Sequence, residues 1–220
     1  MLRSMKQSKH RLKSPRDGGF KRSEEKNFYG LYQKRLQQAN AFDFADLIFQ
    51  THRLWDRHPP VLDEYRERFA HILVDEFQDT DRAQYGLLRS LCHSGANICV
   101  VGDDDQSIYM WRDADVSHIL GFERDYPGAR VVKLERNYRS TKAILDAANV
   151  LVAHNRKRLG KSLWTRREGG GEVQVYNALT DREEASFVAD TLRGLHASYA
   201  YRQMAVLYRT NAQSRPFEEA

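Results

Sequence analysis

The stretch from His71 to Gln106 constrains the fold more than any other part of the chain. "HILVDE" is a short run of Ile72, Leu73 and Val74 that stops at two adjacent acids, Asp75 and Glu76. "NICVVGDDDQS" repeats the pattern, its apolar run ending at Gly102 and three acids. Short aliphatic runs of this kind fit strands buried on both faces. Helical spacing fills the gap from Arg82 to Cys92. Strand, helix, strand is the opening of a parallel α/β sheet.

The alternation continues downstream. "ARVVKLERNYRS" reads as a third strand, Thr141 to Asn155 as a helix and "EVQVYNA" as a strand. "REEASFVADTLRGL" reads as an amphipathic helix and "QMAVLYRTN" as one more strand. The predicted fold class is therefore α/β, an open and mostly parallel sheet flanked by helices. Upstream, Phe28, Leu31, Tyr32 and Leu36 mark a helix that starts at Glu24. A second helix covers Phe44 to Asp56 and stops at Pro59-Pro60, and a third covers Val61 to Phe69.

Residues 1–23 are poor in large apolar side chains and contain Ser-Pro and Gly-Gly breakers, so weak or no stable structure is expected there. The net charge of +5 is concentrated in this region: residues 1–40 hold 11 basic against 3 acidic residues, a surplus of +8 that leaves −3 for the rest. A basic arm of this kind neutralises phosphates or is simply a solvated tail, and composition leaves both open. No apolar stretch approaches the roughly 18 residues of a membrane span, and no secretory h-region is present, so the cytoplasm is the expected compartment. Cys92 and Cys99 lack a CxxC or Cys/His setting and read as small core residues.

In open α/β sheets, ligands bind beyond the carboxyl ends of the strands, and three polar clusters stand at such ends. An acid directly after a strand, Asp75, can hold Mg²⁺ beside substrate phosphates, and its neighbour Glu76 can take a proton from a water. Both can equally cap the following turn. In "VVGDDDQSIYMWR", Gln106 can sense a terminal phosphate, and Tyr109, Trp111 and Arg112 suit a platform on which bases stack. The bland alternative makes Ile108, Tyr109 and Trp111 core aromatics and the acids loop solubilisers. Tyr138 and Arg139 can be a base-stacking ring beside an arginine finger, or a helix entry in which Ser140 is the cap.

Taken together, "LVDEFQDT", "VVGDDDQSIYMWRDAD", "LERNYRST" and "AVLYRTNAQSR" resemble, in order and spacing, motifs of the UvrD/Rep/PcrA family of superfamily 1 DNA helicases. The resemblance runs from about Glu24 to Ala220. It implies parts of two RecA-like lobes: a basic, partly disordered segment over 1–40 left from a helical insertion, part of the first lobe over 41–134, and part of the second over 135–220. It implies an ATP-dependent 3′-to-5′ helicase or translocase, with ATP and Mg²⁺ as cofactors. Its partners would be single-stranded DNA, duplex junctions and proteins of repair or replication. By resemblance, Asp75 binds Mg²⁺ through water and Glu76 is the catalytic base. Gln106 contacts the terminal phosphate, Tyr138 stacks on adenine and Arg139 is the arginine finger. Tyr109, Trp111, Arg112, Arg209 and Asn211 match positions at single-stranded DNA.

Two residues depart from the family pattern. Asp113 stands where Gly is usual in "WRGA", placing a carboxylate that would repel phosphates, and Arg136 stands where Gln is usual in "EQNYRS". A Walker A loop, G-x-x-x-x-G-K-[ST], is also missing. The one Gly-Lys-Ser, Gly160 to Ser162, has Asn155 five residues before its Gly and follows a helix, so its bland reading is a helix C-cap at Gly160. Negligible ATP hydrolysis by this chain alone is therefore expected. A non-catalytic DNA- or protein-binding module, and a structural remnant without function, stand as the alternatives.

Overall fold

The computed structural model of the chain describes residues 2–14, 23–92, 96–156 and 158–220. Helices α1 (Leu2–His10), α2 (Ser23–Gln38), α3 (Phe44–Arg57) and α4 (Pro59–Arg68) precede strand β1 (His71–Val74). Helix α5 (Arg82–Leu91) crosses over to β2 (Asn97–Val100). The short helices α6 (Ser117–Leu120) and α7 (Phe122–Asp125) close the N-terminal half, and α8 (Lys142–Val152), α9 (Asp181–Leu195) and α10 (Ser214–Glu219) form the C-terminal half.

β1 and β2 pair in parallel, His71 opposite Asn97 through Val74 opposite Val100. A parallel pair needs a crossover, which α5 supplies. Both ends of that crossover are set by local chemistry. Asp81 accepts from the backbone N–H groups of Ala83 (2.8 Å) and Gln84 (2.9 Å), while the Gln84 side chain accepts from the Asp81 N–H (2.9 Å), a reciprocal cap. Asp43 and Asp46 form the same device at the start of α3. Helix α4 starts at the two prolines rather than after them, because the first turn of a helix needs no N–H donor.

The main core lies under the turn that follows β1. Phe77 is fully buried and meets Phe122 edge-on at 5.6 Å and Tyr85 at 6.0 Å, and Tyr85 stacks on His118 at 4.2 Å. A second cluster joins α1, α2 and α3 around Met5, Tyr29 and Phe49.

Four expectations are corrected. The N-terminal segment is ordered over residues 2–14, where weak structure was expected; residues 15–22 lie outside the described residues. Its anchor is Lys9, fully buried, with its ammonium 2.7 Å from Asp43 and 2.9 Å from Asp46. The basic surplus is thus partly consumed by acids more than thirty positions away along the chain. β1 and β2 are covered on one face only: Leu73 is 80% exposed, and Cys99 opposite it is exposed rather than a core residue.

The three apolar segments expected to be strands in the C-terminal half form no ladder among the described residues. Their one bridge joins Arg136 to Trp164. Leu134, Val175 and Leu207 are 77%, 85% and 92% exposed. Strand propensity records the fit to a pleated neighbour, and without one these residues have nothing to pack on. The helices flanking them form as expected, because their hydrogen bonds are local.

Candidate nucleotide and nucleic-acid site

The acids at the end of β1 do not continue the strand. Glu76 turns into the left-handed region (φ 50°, ψ 41°), a conformation that costs a non-glycine residue about 1 kcal/mol or more. Asp75 supports the turn by accepting from the Glu76 N–H at 2.9 Å. The turn aims Glu76 at Gln78, whose Nε2 donates to Glu76 Oε2 at 2.7 Å. Strain of this kind at a strand end marks a position that the surroundings hold for a reason.

Gln78 is almost wholly buried, and both ends of its amide are used. Its Oε1 accepts from the Asp103 backbone N–H at 2.9 Å, next to the end of β2. Gly102 lets this amide pass: a Cβ there would sit 2.6 Å from Gln78 Oε1 and 2.9 Å from the Ile119 side chain. The Asp103 Oδ2 in turn accepts from Gln106 Nε2 at 2.7 Å. Glu76, Gln78, Asp103 and Gln106 therefore form one hydrogen-bonded string across the carboxyl ends of the two parallel strands, with Asp75 at its edge.

Negative charge is in excess at this end of β1. Burial, and then the charge of Glu76, raises the Asp79 carboxyl above its ordinary range, and Asp79 Oδ1 is buried without a hydrogen-bond partner among the described residues. A divalent cation held by Asp75 would offset that charge, so the donor set fits Mg²⁺. The Asp103–Asp105 carboxylates also gather within 4.8 Å of one another. There the charge is already answered, by Arg158 on Asp105 and Lys161 on Asp103. Burial would raise the Asp103 carboxyl, but hydrogen bonds from Lys161 and Gln106 outweigh it and hold the group below its usual value.

The aromatic stretch after Gln106 is open to solvent, against the alternative of a buried cluster. Trp111 is 56% exposed and Ile108 and Tyr109 are exposed too. The Arg112 guanidinium lies 5.1 Å from the Trp111 ring centroid and 5.7 Å from that of Tyr109. Asp113 takes φ 69°, which explains why glycine suits this place in the resembling motif. Its charge is partly answered by Arg11 of the N-terminal segment at 3.2 Å, so it does not stand bare beside the aromatic platform.

In the C-terminal half, Tyr138 and Arg139 are exposed and follow the Arg136–Trp164 bridge. The Arg136 guanidinium packs 4.6 Å from the Tyr138 ring centroid and 5.5 Å from that of Trp164, so the departure at 136 puts a cation against one face of the ring. Asn137, not Ser140, organises the turn: its Oδ1 accepts from the N–H groups of Arg139 (2.9 Å) and Ser140 (2.8 Å). Arg209 and Asn211 are exposed at a single 3₁₀ turn before α10, where Gln213 Oε1 accepts from the Arg209 N–H at 3.0 Å. No hydrogen bond or ion pair among the described residues joins Tyr138, Arg139, Arg209 or Asn211 to the Glu76–Gln106 string. The structure thus brings together Asp75, Glu76 and Gln106, and leaves the C-terminal candidates apart from them.

Gly160 is not a helix C-cap. It lies beyond the end of α8 at Val152, in a turn with φ 67° whose carbonyl accepts from Lys133 Nζ at 2.6 Å. Lys161 is engaged with Asp103, so the Gly-Lys-Ser segment is not a phosphate cradle. Sequence reasoning missed Gln78 as an orienting residue and Lys161 as a partner of the site. The only signal for Gln78 was a polar side chain two positions after an acid, inside a run that buries Phe77.

Residues 1–127 match the family model described as the UvrD/REP helicase N-terminal domain, and residues 132–220 match the UvrD-like helicase C-terminal domain. Among curated proteins, the chain is similar to ATP-dependent DNA helicase PcrA of Staphylococcus epidermidis, 47% identical over 217 residues that make up 96% of this chain and 30% of that protein. It is 50% identical over 192 residues to ATP-dependent DNA helicase PcrA of Staphylococcus aureus, covering 87% of this chain and 26% of that one. The chain therefore spans 26% to 30% of the length of these relatives. Among the described residues, no helix is long and apolar enough to cross a membrane.

Proposed function

Because the chain belongs to the UvrD/REP helicase family, with the RecA-like fold that this membership implies, we propose that it carries one side of the ATP site and part of the DNA track of an ATP-dependent 3′-to-5′ DNA helicase or translocase. The observation that carries this reading is the single string of Glu76, Gln78, Asp103 and Gln106 at the ends of two parallel strands. Asp75 would hold Mg²⁺, and the ion, when bound, would neutralise charge on the phosphates. Glu76 accepts a proton from the attacking water. Gln106 contacts the terminal phosphate. Tyr138 stacks on adenine, and Arg139 stabilises charge on the transferring phosphoryl group once the two lobes close.

Tyr109, Trp111 and Arg112 form the stacking platform for single-stranded DNA, with Arg209 and Asn211 further along the strand. We set the lobe boundary near residue 134, with residues 1–40 derived from a helical insertion. The cellular setting of this reading is the cytoplasm, and its wider partners are duplex junctions and proteins of repair or replication. The sequence contains no Walker A loop, so the 220-residue chain binds DNA and nucleotide but hydrolyses ATP negligibly by itself. Exposure of Trp111 beside Arg112 also supports a binding module without turnover.

One pair of measurements on the chain tests the reading. Fluorescence anisotropy with a labelled single-stranded oligonucleotide at low salt should show binding that Trp111→Ala weakens by about 1–3 kcal/mol. ATP turnover should stay at background with or without DNA. Absence of binding to single-stranded DNA defeats the DNA-track reading, and DNA-stimulated turnover that disappears in Glu76→Gln defeats the expectation of inactivity.

A further inference from the structure

The Gly160-Lys161-Ser162 segment cradles no phosphate, yet it is held firmly. Three consecutive acids of the N-terminal half each take a partner from residues 155–161 of the C-terminal half. Arg158 grips Asp105 as a fork, through Nε at 3.0 Å and Nη2 at 2.6 Å. The Leu159 N–H donates to Asp104 Oδ2 at 2.7 Å, and the Lys161 ammonium contacts Asp103 Oδ1. Arg158 Nη2 also donates to the Lys161 carbonyl at 2.9 Å, so the fork and the lysine move as one piece. Lys133 ties the same turn down from the other side, donating to the carbonyls of Leu159 and Gly160.

These pairs are mostly withdrawn from water, since Lys161, Asp103, Arg158 and Asp105 keep 17%, 19%, 19% and 7% of their side-chain surface. Ion pairs in such settings are screened far less than surface pairs. The three acids are not equivalent, however. Asp104 and Asp105 make contacts to the C-terminal half that end there. Asp103 is continuous with the candidate site: one carboxylate oxygen meets Lys161 and also accepts from the Asp105 N–H at 3.0 Å, the other accepts from Gln106, and its N–H reaches Gln78 and hence Glu76.

We propose that Lys161 is a positioning residue for Gln106: by fixing one oxygen of Asp103 it sets the other oxygen that holds the glutamine amide, so the placement of the C-terminal half is read at Gln106. The proposal rests on the reading of Gln106 as the terminal-phosphate contact. The physics is simple. A carboxylate gripped at one oxygen has a fixed plane, and an acceptor with a fixed plane orients its donor. When the C-terminal half draws away, Lys161 leaves, Asp103 keeps only the neutral Asp105 N–H on that oxygen, and the acceptor of Gln106 is held less firmly.

The test uses the 220-residue chain and the ¹H–¹⁵N signals of glutamine side-chain amides, with the Gln106 pair assigned by its disappearance in Gln106→Ala. Lys161→Met keeps the apolar stem and removes the ammonium. It should shift the Gln106 pair and speed exchange of its protons roughly two- to tenfold, the size of one lost hydrogen bond. Lys161→Arg should restore the signal. Backbone signals of α8 should stay unchanged in Lys161→Met. A Gln106 signal that does not respond to Lys161→Met overturns the proposal, as does an equal movement of the α8 signals, which marks a merely structural role. A second arm isolates the underlying reading. If Gln106→Ala binds a non-hydrolysable ATP analogue and ADP, each with Mg²⁺, as the unaltered chain does, the phosphate contact is wrong, while the ligand-free response of Gln106 to Lys161→Met still decides the positioning role.

Discussion

The two halves of this chain use the same kinds of sequence to different effect. In the N-terminal half, apolar runs become a laddered pair of strands and buried side chains cluster around Phe77 and Tyr29. In the C-terminal half, runs of apolar residues stay unpaired and exposed, and Leu145 and Ala185 are the buried hydrophobic residues among those described. The difference lies in partners rather than composition. β1 has β2 delivered to it by a ten-residue helix with a reciprocal cap. The segments around Val132, Val175 and Leu207 have no neighbour among the described residues to complete their backbone hydrogen bonds.

That contrast can be broken most forcefully at its extremes. Phe77→Ala should destabilise the chain by about 3–5 kcal/mol, as a fully buried aromatic does, while Leu207→Ala, on an exposed segment, should change stability by less than about 0.5 kcal/mol. Urea unfolding of both variants measures the pair. Equal losses would mean that the apolar segments of the C-terminal half are packed after all. Next in size is Lys9→Ala, which leaves Asp46 buried and Asp43 partly buried without their cation. It should cost about 3–5 kcal/mol at the top of its range, less to the extent that water reaches Asp43. A loss no larger than that of an exposed lysine would return the N-terminal segment to the status of a tail.

A smaller effect is expected from pH. The hydrogen bond that His10 Nδ1 donates to Asp81, 2.6 Å away, pulls the His10 pKa above 6.5 against the opposing effect of burial, with the charges of Asp81, Asp113 and Asp43 adding to it. A raised folded value means that this stabilisation is complete below 6.5 and is lost as pH rises through the folded pKa. The melting temperature should therefore fall between about pH 6 and about pH 8, and His10→Gln should flatten that part of the profile. Smallest is Asp113→Gly. Relief of the left-handed backbone, worth about 1 kcal/mol, is offset by loss of the exposed pair with Arg11, worth up to about 1 kcal/mol. Stability should hardly move, and affinity for single-stranded DNA should rise as a carboxylate leaves the platform.

Much of this was legible in the sequence because it depends on local rules. The helices at 44–57 and 82–91 were marked by helical spacing, and the strand ends by the abrupt change from Val74 to Asp75 and from Val101 to Gly102. The co-location of Asp75, Glu76 and Gln106 followed from the rule that ligands gather at strand carboxyl ends. What was hidden depends on contacts across long stretches of chain. Lys9 meets Asp43, Arg11 meets Asp113 and Lys161 meets Asp103, and nothing in the local pattern of any of the six announces the partner. Ladder formation was hidden for the same reason, since an apolar run reveals a willingness to pair and not the presence of a neighbour.

The most direct measurement maps nucleotide onto the chain residue by residue. Amide spectra recorded with Mg²⁺ and a non-hydrolysable ATP analogue should show the largest shifts at residues 75–79 and 102–106, with the response at 102–106 lost in Gln106→Ala. Shifts confined to other regions, or no shift at a nucleotide concentration that saturates full-length relatives, would contradict the assignment of the Glu76–Gln106 string to an ATP site.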